Sequence, residues 1–524
     1  MITPVAAFEA LSRDGGEAFM LESVERGESL GRYSFIGIRP RRTLTFEPGA
    51  VNPAETLKEE LAPLRVWREE SLPPFAGGAV GFFGYGVAGW SESLPDHNPD
   101  PLGMPDAKVL FFDDVVVFDH LKQKLFVIAS IFTGRPESAT QLLDEAADRV
   151  ESMVELLGRA SVDLTPVSGD PARIRLTSNF AREDFVTAVE QAKEAIAAGE
   201  AFQIVLSQCW STPYPTSESL TLYRALRAIN PSPYMFLLRM QEGTLVGASP
   251  EMLVREHRRV AETRPIAGTR PRGLSTEEDD RLEAELLDDP KENAEHLMLV
   301  DLGRNDLGRV CEGGSIRVSE FRKIERYSHV MHIVSHVTGR LRQDLGPVDL
   351  LLSAFPAGTV SGAPKIRAMQ IIDALEPTRR GPYAGAVAYF GFSGSVDSCI
   401  TIRTIILRDD VASIQAGAGI VFDSVPEREL EETENKSMAL RRAVAAAKAI
   451  SLKPIPGPRN TQLAIPTPVR WAAYRLRDAI RGLLNSSPRQ VAEGRRRVLV
   501  SSMSREQVTI DPRTGEGVVE DLML

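Results

Sequence analysis

Two acidic stretches hold residues whose spacing suits chemistry. In PKENAEHLMLVDLG (Pro290–Gly303), Glu292 and Glu295 stand three apart, and a helix begun by proline puts both on one face. In ERELEETENKSMALRRA (Glu427–Ala443), Glu429 and Glu432 repeat the spacing, and Lys436 follows four residues later on the same face. Carboxylates held side by side repel by roughly 4 kcal/mol at ~4 Å in an intermediate dielectric. A divalent cation between the two helices relieves that repulsion. A donor set of oxygen, without His or Cys, suits magnesium. For either helix taken alone, a solvated acidic face is the competing reading.

FPAGTVSGAPKIRAM (Phe355–Met369) crowds Ala357, Gly358, Ser361 and Gly362 ahead of a helix whose first turn is opened by Pro364. Small residues let a ligand approach the backbone, and free amides at a helix start attract anions. Thr359 adds one hydroxyl to that loop. Further on, Arg403 projects from a strand, CITIRT, and suits a two-pronged clamp on a carboxylate, with a structural ion pair as the alternative. Tyr383 precedes it, and Gly417 and Gly419 leave amides accessible beyond it. In RYSHVMHIVSHV, strand alternation puts His332 and His336 on one side and His329 on the other. Those positions suit hydrogen-bonded core histidines as well as catalysis.

The elements that must position these residues fall into three parts. Residues 1–160 read as mostly strand and turn, with runs such as GRYSFIGIRPRRTLTFEP and VLFFDDVVVFDHLKQKLFVIAS, closed by a helix at about Ser138–Leu157. The glycines of FAGGAVGFFGYG (Phe75–Gly86) lack a phosphate-loop order and are read as permitting tight strand packing. Ser161–Ala172 is a polar, proline-containing linker. Over residues 175–452 helices alternate with strands. Phe185, Val189, Ala192 and Ile196 mark one helix face, with Gly199 as its stop. Residues 453–524 form a linker, LKPIPGPRN, and an extension whose Ala464–Leu524 part holds ten arginines against seven acids. No chemistry is legible in that extension, which reads as a small helix-plus-strand unit or a tail.

A net charge of −11 argues against nucleic-acid binding, because nothing offsets phosphate repulsion over a broad face. No apolar run reaches the length of a membrane span, and the acidic N-terminus lacks a signal peptide's basic start. Cys209, Cys311 and Cys399 are far apart, odd in number, and fit reduced core thiols. The expectation is a soluble, cytoplasmic protein.

Taken in order, SPE (Ser249–Glu251), RPIAGTR (Arg264–Arg270), PKENAEHLMLVDLGRNDLGRV, YSHVMHIVS, GTVSGAPK, GPYAGAV, the CITIRT arginine, AGAGIV and ExxETxxK (Glu429–Lys436) resemble the chorismate-utilising enzymes. The resemblance implies an α+β fold, a sandwich of large antiparallel β-sheets flanked by helices, with the site in a cleft between the sheets and residues 1–160 packed against the catalytic part. It implies a Mg2+-dependent site for chorismate. Glu295 and Glu432 match its metal ligands, with Glu292 and Glu429 supporting through water. Tyr383, Arg403 and the Gly419 amide, beside Gly417, match the cradle for the enolpyruvyl carboxylate. Glu251 matches the general acid for the departing hydroxyl, His332 and Thr359 the groups at the ring, and Lys436 the lysine on the metal side.

Two positions separate branches of that family. Gln203 stands where water-adding members carry a lysine base, and an amide cannot deprotonate water. Ala267 stands where aminodeoxychorismate-forming members carry a nucleophilic lysine. The resemblance therefore implies direct attack by ammonia and formation of anthranilate and pyruvate, the first step of tryptophan synthesis. None of the cysteines sits in a glutaminase nucleophile elbow, so ammonia is expected from a separate glutamine amidotransferase subunit, in a heterotetramer of two large and two small subunits. Leu21, Glu22 and Ser23, with Asn230, Pro231, Ser232, Pro233, Tyr234 and Met235, resemble the two segments of a tryptophan feedback site, Met20 replacing the usual leucine. Rival readings are release of 2-amino-2-deoxyisochorismate, aminodeoxychorismate synthesis, and a non-catalytic tryptophan-binding regulatory subunit.

Overall fold

The computed structural model describes residues 2–23, 31–61, 65–67, 72–132, 138–160, 174–273, 275–326, 330–451, 497–502, 507–510 and 517–520. The Ser161–Ala172 linker and His329 lie outside the described residues, as does most of the extension after residue 453.

Two large sheets stack face to face. The first, 13-stranded and almost wholly antiparallel, runs Gly362–Ala363, Gln203–Pro213, Val411–Ile420, Thr404–Arg408, Thr244–Ser249, Tyr234–Arg239, Ala18–Glu22, Tyr33–Ile38, Asp114–Asp119 and Lys124–Phe132. Arg497–Ser502 continues that edge, with Arg65–Trp67 parallel beyond it. The second, 10-stranded, runs Ile266–Pro271, Val330–Arg340, Val260–Thr263, Met252–His257, Val396–Ile400, Ala386–Gly391, Gly78–Phe83, Ala107–Phe112 and Arg42–Phe46, with Arg317–Arg326 also paired to Val330–Arg340. Both sheets draw strands from before residue 160 and after residue 175. The α+β sandwich expected from the sequence is the fold observed.

Strand alternation sorts the side chains into layers. Phe19, Phe35, Val115, Val117, Phe236 and Leu238 of the first sheet meet Val80, Phe82, Leu110, Phe112 and Val387 of the second in one core between the sheets. Their neighbours Met20, Ile36, Val116 and Leu237 face outward onto helices Pro4–Leu11, Ala139–Leu157, Ser219–Ile229 and Pro426–Ser451. Outside the second sheet, Val109, Phe111, Ala386 and Ala388 pack on Pro290–Gly308 and Pro347–Ala354. Strands buried on both faces explain why VLFF and VVVF, on either side of Asp113 and Asp114, are each wholly apolar. Helices Pro4–Leu11 and Pro53–Leu61 interrupt the strand-and-turn reading of the N-terminal part.

Glycines bring the second sheet together as expected. A β-carbon at Gly78 would stand 2.0 Å from the Phe390 carbonyl oxygen, and one at Gly81 2.1 Å from that of Lys108. Helix Ala139–Leu157 starts in a capping box in which Ser138 and Gln141 satisfy each other's amides. Among the described residues no helix is long and apolar enough to cross a membrane.

Candidate active site

Glu251 sits in the turn between Thr244–Ser249 and Met252–His257, where its amide donates to Ser249 Oγ at 3.4 Å. Its carbonyl accepts from Ile400 N at 3.0 Å, which pins the turn to the neighbouring strand. The side chain accepts from Thr359 Oγ1 at 3.1 Å. Burial pushes the Glu251 carboxyl up to about 7, against the opposing pull of the Thr359 hydroxyl and the Lys436 charge. A small pocket, open to solvent, borders this pair and is walled by Gly358, Leu299, Leu302 and Asp306.

The loop that presents Thr359 differs from its sequence reading. Gly358–Ser361 is a helical turn, and Pro364 is the extended N-cap of helix Lys365–Leu375 rather than part of its first turn. Its small residues serve the chain's own packing. A β-carbon at Gly362 would stand 2.2 Å from the Gln203 carbonyl oxygen, with φ at +137°, and one at Gly358 would stand 2.7 Å from Leu302 Cδ1.

Tyr383, Arg403, Gly417 and Gly419 converge on the first sheet. Gly417 and Gly419 lie on strand Val411–Ile420, opposite Ser207 and Val205. An added β-carbon at Gly417 would stand 2.9 Å from the Tyr383 hydroxyl, so the ring rests against that glycine. The Tyr383 hydroxyl is raised to about 12, chiefly by burial, and therefore remains a proton donor. Arg403 does not project from a strand. It lies between Val396–Ile400 and Thr404–Arg408 with φ +51°, its carbonyl accepting from Ala248 N at 3.1 Å. Among the described residues no carboxylate lies within ion-pair distance of its half-buried guanidinium, so the structural ion pair is ruled out there. Burial lowers its pKa, with Tyr383 opposing.

The acidic helices face one another. Glu292 and Glu295 lie on helix Pro290–Gly308, started by Asp289 as N-cap, and Glu429 and Glu432 on Pro426–Ser451. Both Glu295 and Glu429 feel the charges of Lys291 and Lys436, which places the two helices across one space. Burial and Glu292 raise Glu295, while a Gln203 side-chain hydrogen bond lowers it. Burial and Glu432 raise Glu429, against hydrogen bonding from Ser424. Lys436 Nζ donates to Glu432 Oε1 at 2.7 Å and to the Gly417 carbonyl at 3.1 Å. Arg270 Nη1 holds Glu292 Oε1 at 3.3 Å. Among the described residues no three His, Cys, Asp or Glu side chains stand together in a metal-holding arrangement. The oxygen donors of the four glutamates suit a hard divalent cation, and within each helix one glutamate raises the other.

His332 Nδ1 lies 2.9 Å from the Gly268 carbonyl oxygen and 3.1 Å from Thr269 Oγ1, and burial lowers its pKa. A neutral ring is thereby fixed in one tautomer, donating from Nδ1 to the carbonyl. His336, on the same strand, is instead tied to Glu262 at 2.5 Å and to Ser319 at 3.0 Å.

The segments around Glu22 and Asn230 also meet. Ala18–Glu22 pairs with Tyr234–Arg239 so that Glu22 lies opposite Met235 and Leu21 opposite Phe236. Buried Glu22 accepts from the Tyr223 hydroxyl at 2.5 Å and from Arg227 Nε at 3.0 Å. Ser23 Oγ is buried with no partner among the described residues. Asn230 and Ser232 bond each other at 3.4 Å, and Ser232, Pro233 and Met235 are buried while Pro231 is exposed. Sequence reasoning missed Glu376 and Arg380, a buried ion pair with side-chain atoms 2.6 Å apart. Helix Lys365–Leu375 ends before both residues, so helical spacing gave no signal for the pair.

The sandwich and the side chains gathered on it point to a class. The family model described as chorismate binding enzyme matches residues 16–442, and the chain belongs to that family. Within it, the chain is 47% identical over 472 residues to anthranilate synthase component 1 of Acetivibrio thermocellus, covering 86% of this chain and 94% of that relative. To the Thermus thermophilus anthranilate synthase component 1 it is 47% identical over 461 residues, covering 85% and 96%. The crystal structure of anthranilate synthase component I from Streptococcus pneumoniae TIGR4 superposes with a TM-score of 0.71 at 36% identity, over 80% of this chain and 93% of that one. The menaquinone-specific isochorismate synthase of Escherichia coli shares the fold, with a TM-score of 0.63 at 19% identity over 84% of this chain and 91% of that one. The resemblance drawn from the motifs is borne out.

Proposed function

We propose that this chain converts chorismate and ammonia to anthranilate and pyruvate. The observation that carries the reading is the charge pattern of the cleft, in a chain 47% identical to anthranilate synthase component 1 of another organism. Arg403 has no anionic partner among the described residues, Glu292 raises Glu295 and Glu432 raises Glu429, and Glu251 is raised to about 7. A small dicarboxylate with a hydroxyl to lose matches that pattern. Arg403, the Tyr383 hydroxyl and the Gly417–Gly419 backbone bind its side-arm carboxylate. Glu292, Glu295, Glu429 and Glu432 would hold Mg2+, which supplies charge for the ring carboxylate and polarises the ring.

Ammonia adds to the ring carbon beside the carboxylate-bearing one. The ring hydroxyl leaves as water with the proton from Glu251, oriented by Thr359. Loss of the side arm as pyruvate, with removal of the ring proton, gives anthranilate. His332, neutral and held by Gly268, lies at the ring. Gln203 and Ala267 supply neither a water-activating base nor a nucleophile, which favours this outcome over isochorismate or aminodeoxychorismate formation. Ammonia comes from a separate glutamine amidotransferase subunit, in a cytoplasmic heterotetramer of two large and two small subunits. Tryptophan binds between the Leu21–Ser23 and Asn230–Met235 segments and inhibits.

The test is anthranilate fluorescence from the purified chain with chorismate, magnesium and ammonium, with and without EDTA. A signal abolished by EDTA supports the reading. Consumption of chorismate without that fluorescence overturns it in favour of an amino intermediate or aminodeoxychorismate. Tryptophan binding without turnover would leave the regulatory-subunit reading standing.

A further inference from the structure

We propose that the buried pair Glu376–Arg380 is the positioning core of the cradle for the substrate's side-arm carboxylate, an inference that rests on the chorismate reading above. Arg380 Nη1 donates to the Val360 carbonyl at 2.7 Å, and Val360 follows Thr359. Its Nη2 donates to the Val205 carbonyl at 2.6 Å, and Val205 is the cross-strand partner of Gly419. Its guanidinium carbon lies 5.7 Å from the centre of the Tyr383 ring and 4.6 Å from that of Tyr85. Glu376 completes the arrangement. Its Oε1 accepts from the amide and the hydroxyl of Ser207, both at 2.8 Å, and Ser207 is the cross-strand partner of Gly417. Gln415 Nε2 donates to the same hydroxyl at 2.9 Å.

One ion pair therefore reaches the Thr359 turn, both backbone positions opposite the cradle glycines, and the Tyr383 ring. Side-chain exposure of Arg380 and Glu376 is 2% and 3%, so neither touches substrate and both act through other groups. Buried ion pairs commonly add little net stability over well-packed apolar residues. What this pair contributes is geometry: a planar fork that donates in two directions while stacking on aromatic rings, which a lysine cannot reproduce.

The test compares the full-length parent with E376M/R380M and with R380K. Thermal unfolding, equilibrium binding of chorismate, and kinetics with ammonium are measured on each. The double variant is expected to stay folded with a melting temperature near the parent's. Its KM and dissociation constant for chorismate are expected to rise tenfold or more, with the KM for ammonium unmoved. R380K is expected to weaken chorismate in the same direction by a smaller factor. A folded double variant with parental chorismate binding overturns the proposal. If the double variant does not fold, unchanged chorismate binding in R380K overturns it. A parent that binds chorismate without making anthranilate defeats the reaction assigned above, and the binding comparison still decides the role of the pair. A parent that neither binds nor turns over chorismate defeats both.

Discussion

Replacing Glu251 by glutamine should stabilise this protein at alkaline pH while removing most of its activity. The carboxyl is raised from an ordinary 4.5 to about 7 by burial, so the folded state holds its proton more tightly than the unfolded chain. Its contribution to stability is fully present below about pH 4.5 and is lost as pH rises through about 7. At pH 8 the loss is about 3 kcal/mol, from about 2.5 pH units at about 1.4 kcal/mol each, an upper bound because the group is partly open to the cleft. At pH 5 it is under about 1 kcal/mol. Glu251→Gln keeps an acceptor for Thr359 and removes the ionisation. Denaturant unfolding of parent and variant at pH 5 and pH 8 should therefore show a gain for the variant that grows with pH, toward about 3 kcal/mol. Turnover should drop by about a hundredfold or more, as for loss of a general acid. Parental activity should itself decline as pH rises past about 7, because only the protonated form can donate. Equal stability differences at the two pH values would refute the raised carboxyl, and full activity in the variant would refute its role as acid.

Arg403→Met removes a half-buried charge that has no anionic partner among the described residues, so melting temperature should hold or rise. Lost carboxylate contacts of about 1.5–3 kcal/mol should raise the KM for chorismate on the order of ten- to a hundredfold, measured by steady-state kinetics. Gly417→Ala puts a β-carbon 2.8 Å from the Leu206 carbonyl and 2.9 Å from the Tyr383 hydroxyl, so chorismate binding should weaken together with thermal stability. EDTA should abolish turnover and magnesium restore it, and Glu432→Gln should raise the magnesium concentration needed for half-maximal rate. Ser23→Leu should abolish tryptophan inhibition with basal turnover retained, as read by titration of tryptophan into the anthranilate assay. A parent insensitive to tryptophan in that titration removes the feedback reading altogether.

Local signals in the sequence were enough for the features that local physics controls. The Glu292/Glu295 and Glu429/Glu432 spacings became paired helix faces, the helix expected at about Ser138–Leu157 became Ala139–Leu157, and the glycines at 78 and 81 became points of strand contact. The errors lie where a distant partner decides. Pro364 looked like the first residue of a helix, yet Gly362 and Ala363 are drawn into a strand pairing with Gln203 and Ile204, which holds Pro364 extended. Arg403 follows an apolar strand and looked like its continuation. The chain leaves that strand at Ile400 because the next one, from Thr404, belongs to the other sheet. Arg380 was invisible for the same reason, since the carbonyls it holds belong to residues far away in sequence.

Most buried charges of this fold are already answered. Lys108 lies between Glu17, at 2.6 Å, and Glu242. Across the second sheet, Asp397, Arg255 and Glu262 stand on successive paired strands, closed by His336 at one end and the Tyr234 hydroxyl at the other. Arg380 has Glu376. Desolvating an ion without a partner costs several kcal/mol, so a fold retains such a group only where something else completes it. Around the candidate site the groups left incomplete are unlike one another: the Arg403 guanidinium, the raised carboxyls of Glu295 and Glu429, and the raised Glu251 carboxyl beside Thr359. A ligand that completes all three needs an anionic arm for the first, an anion shared with a divalent cation for the second, and an oxygen able to accept a proton for the third. A monocarboxylate would leave one end uncompensated, and an uncharged ring would leave both. The arrangement of incomplete charges therefore fits the dicarboxylate with a leaving hydroxyl proposed above.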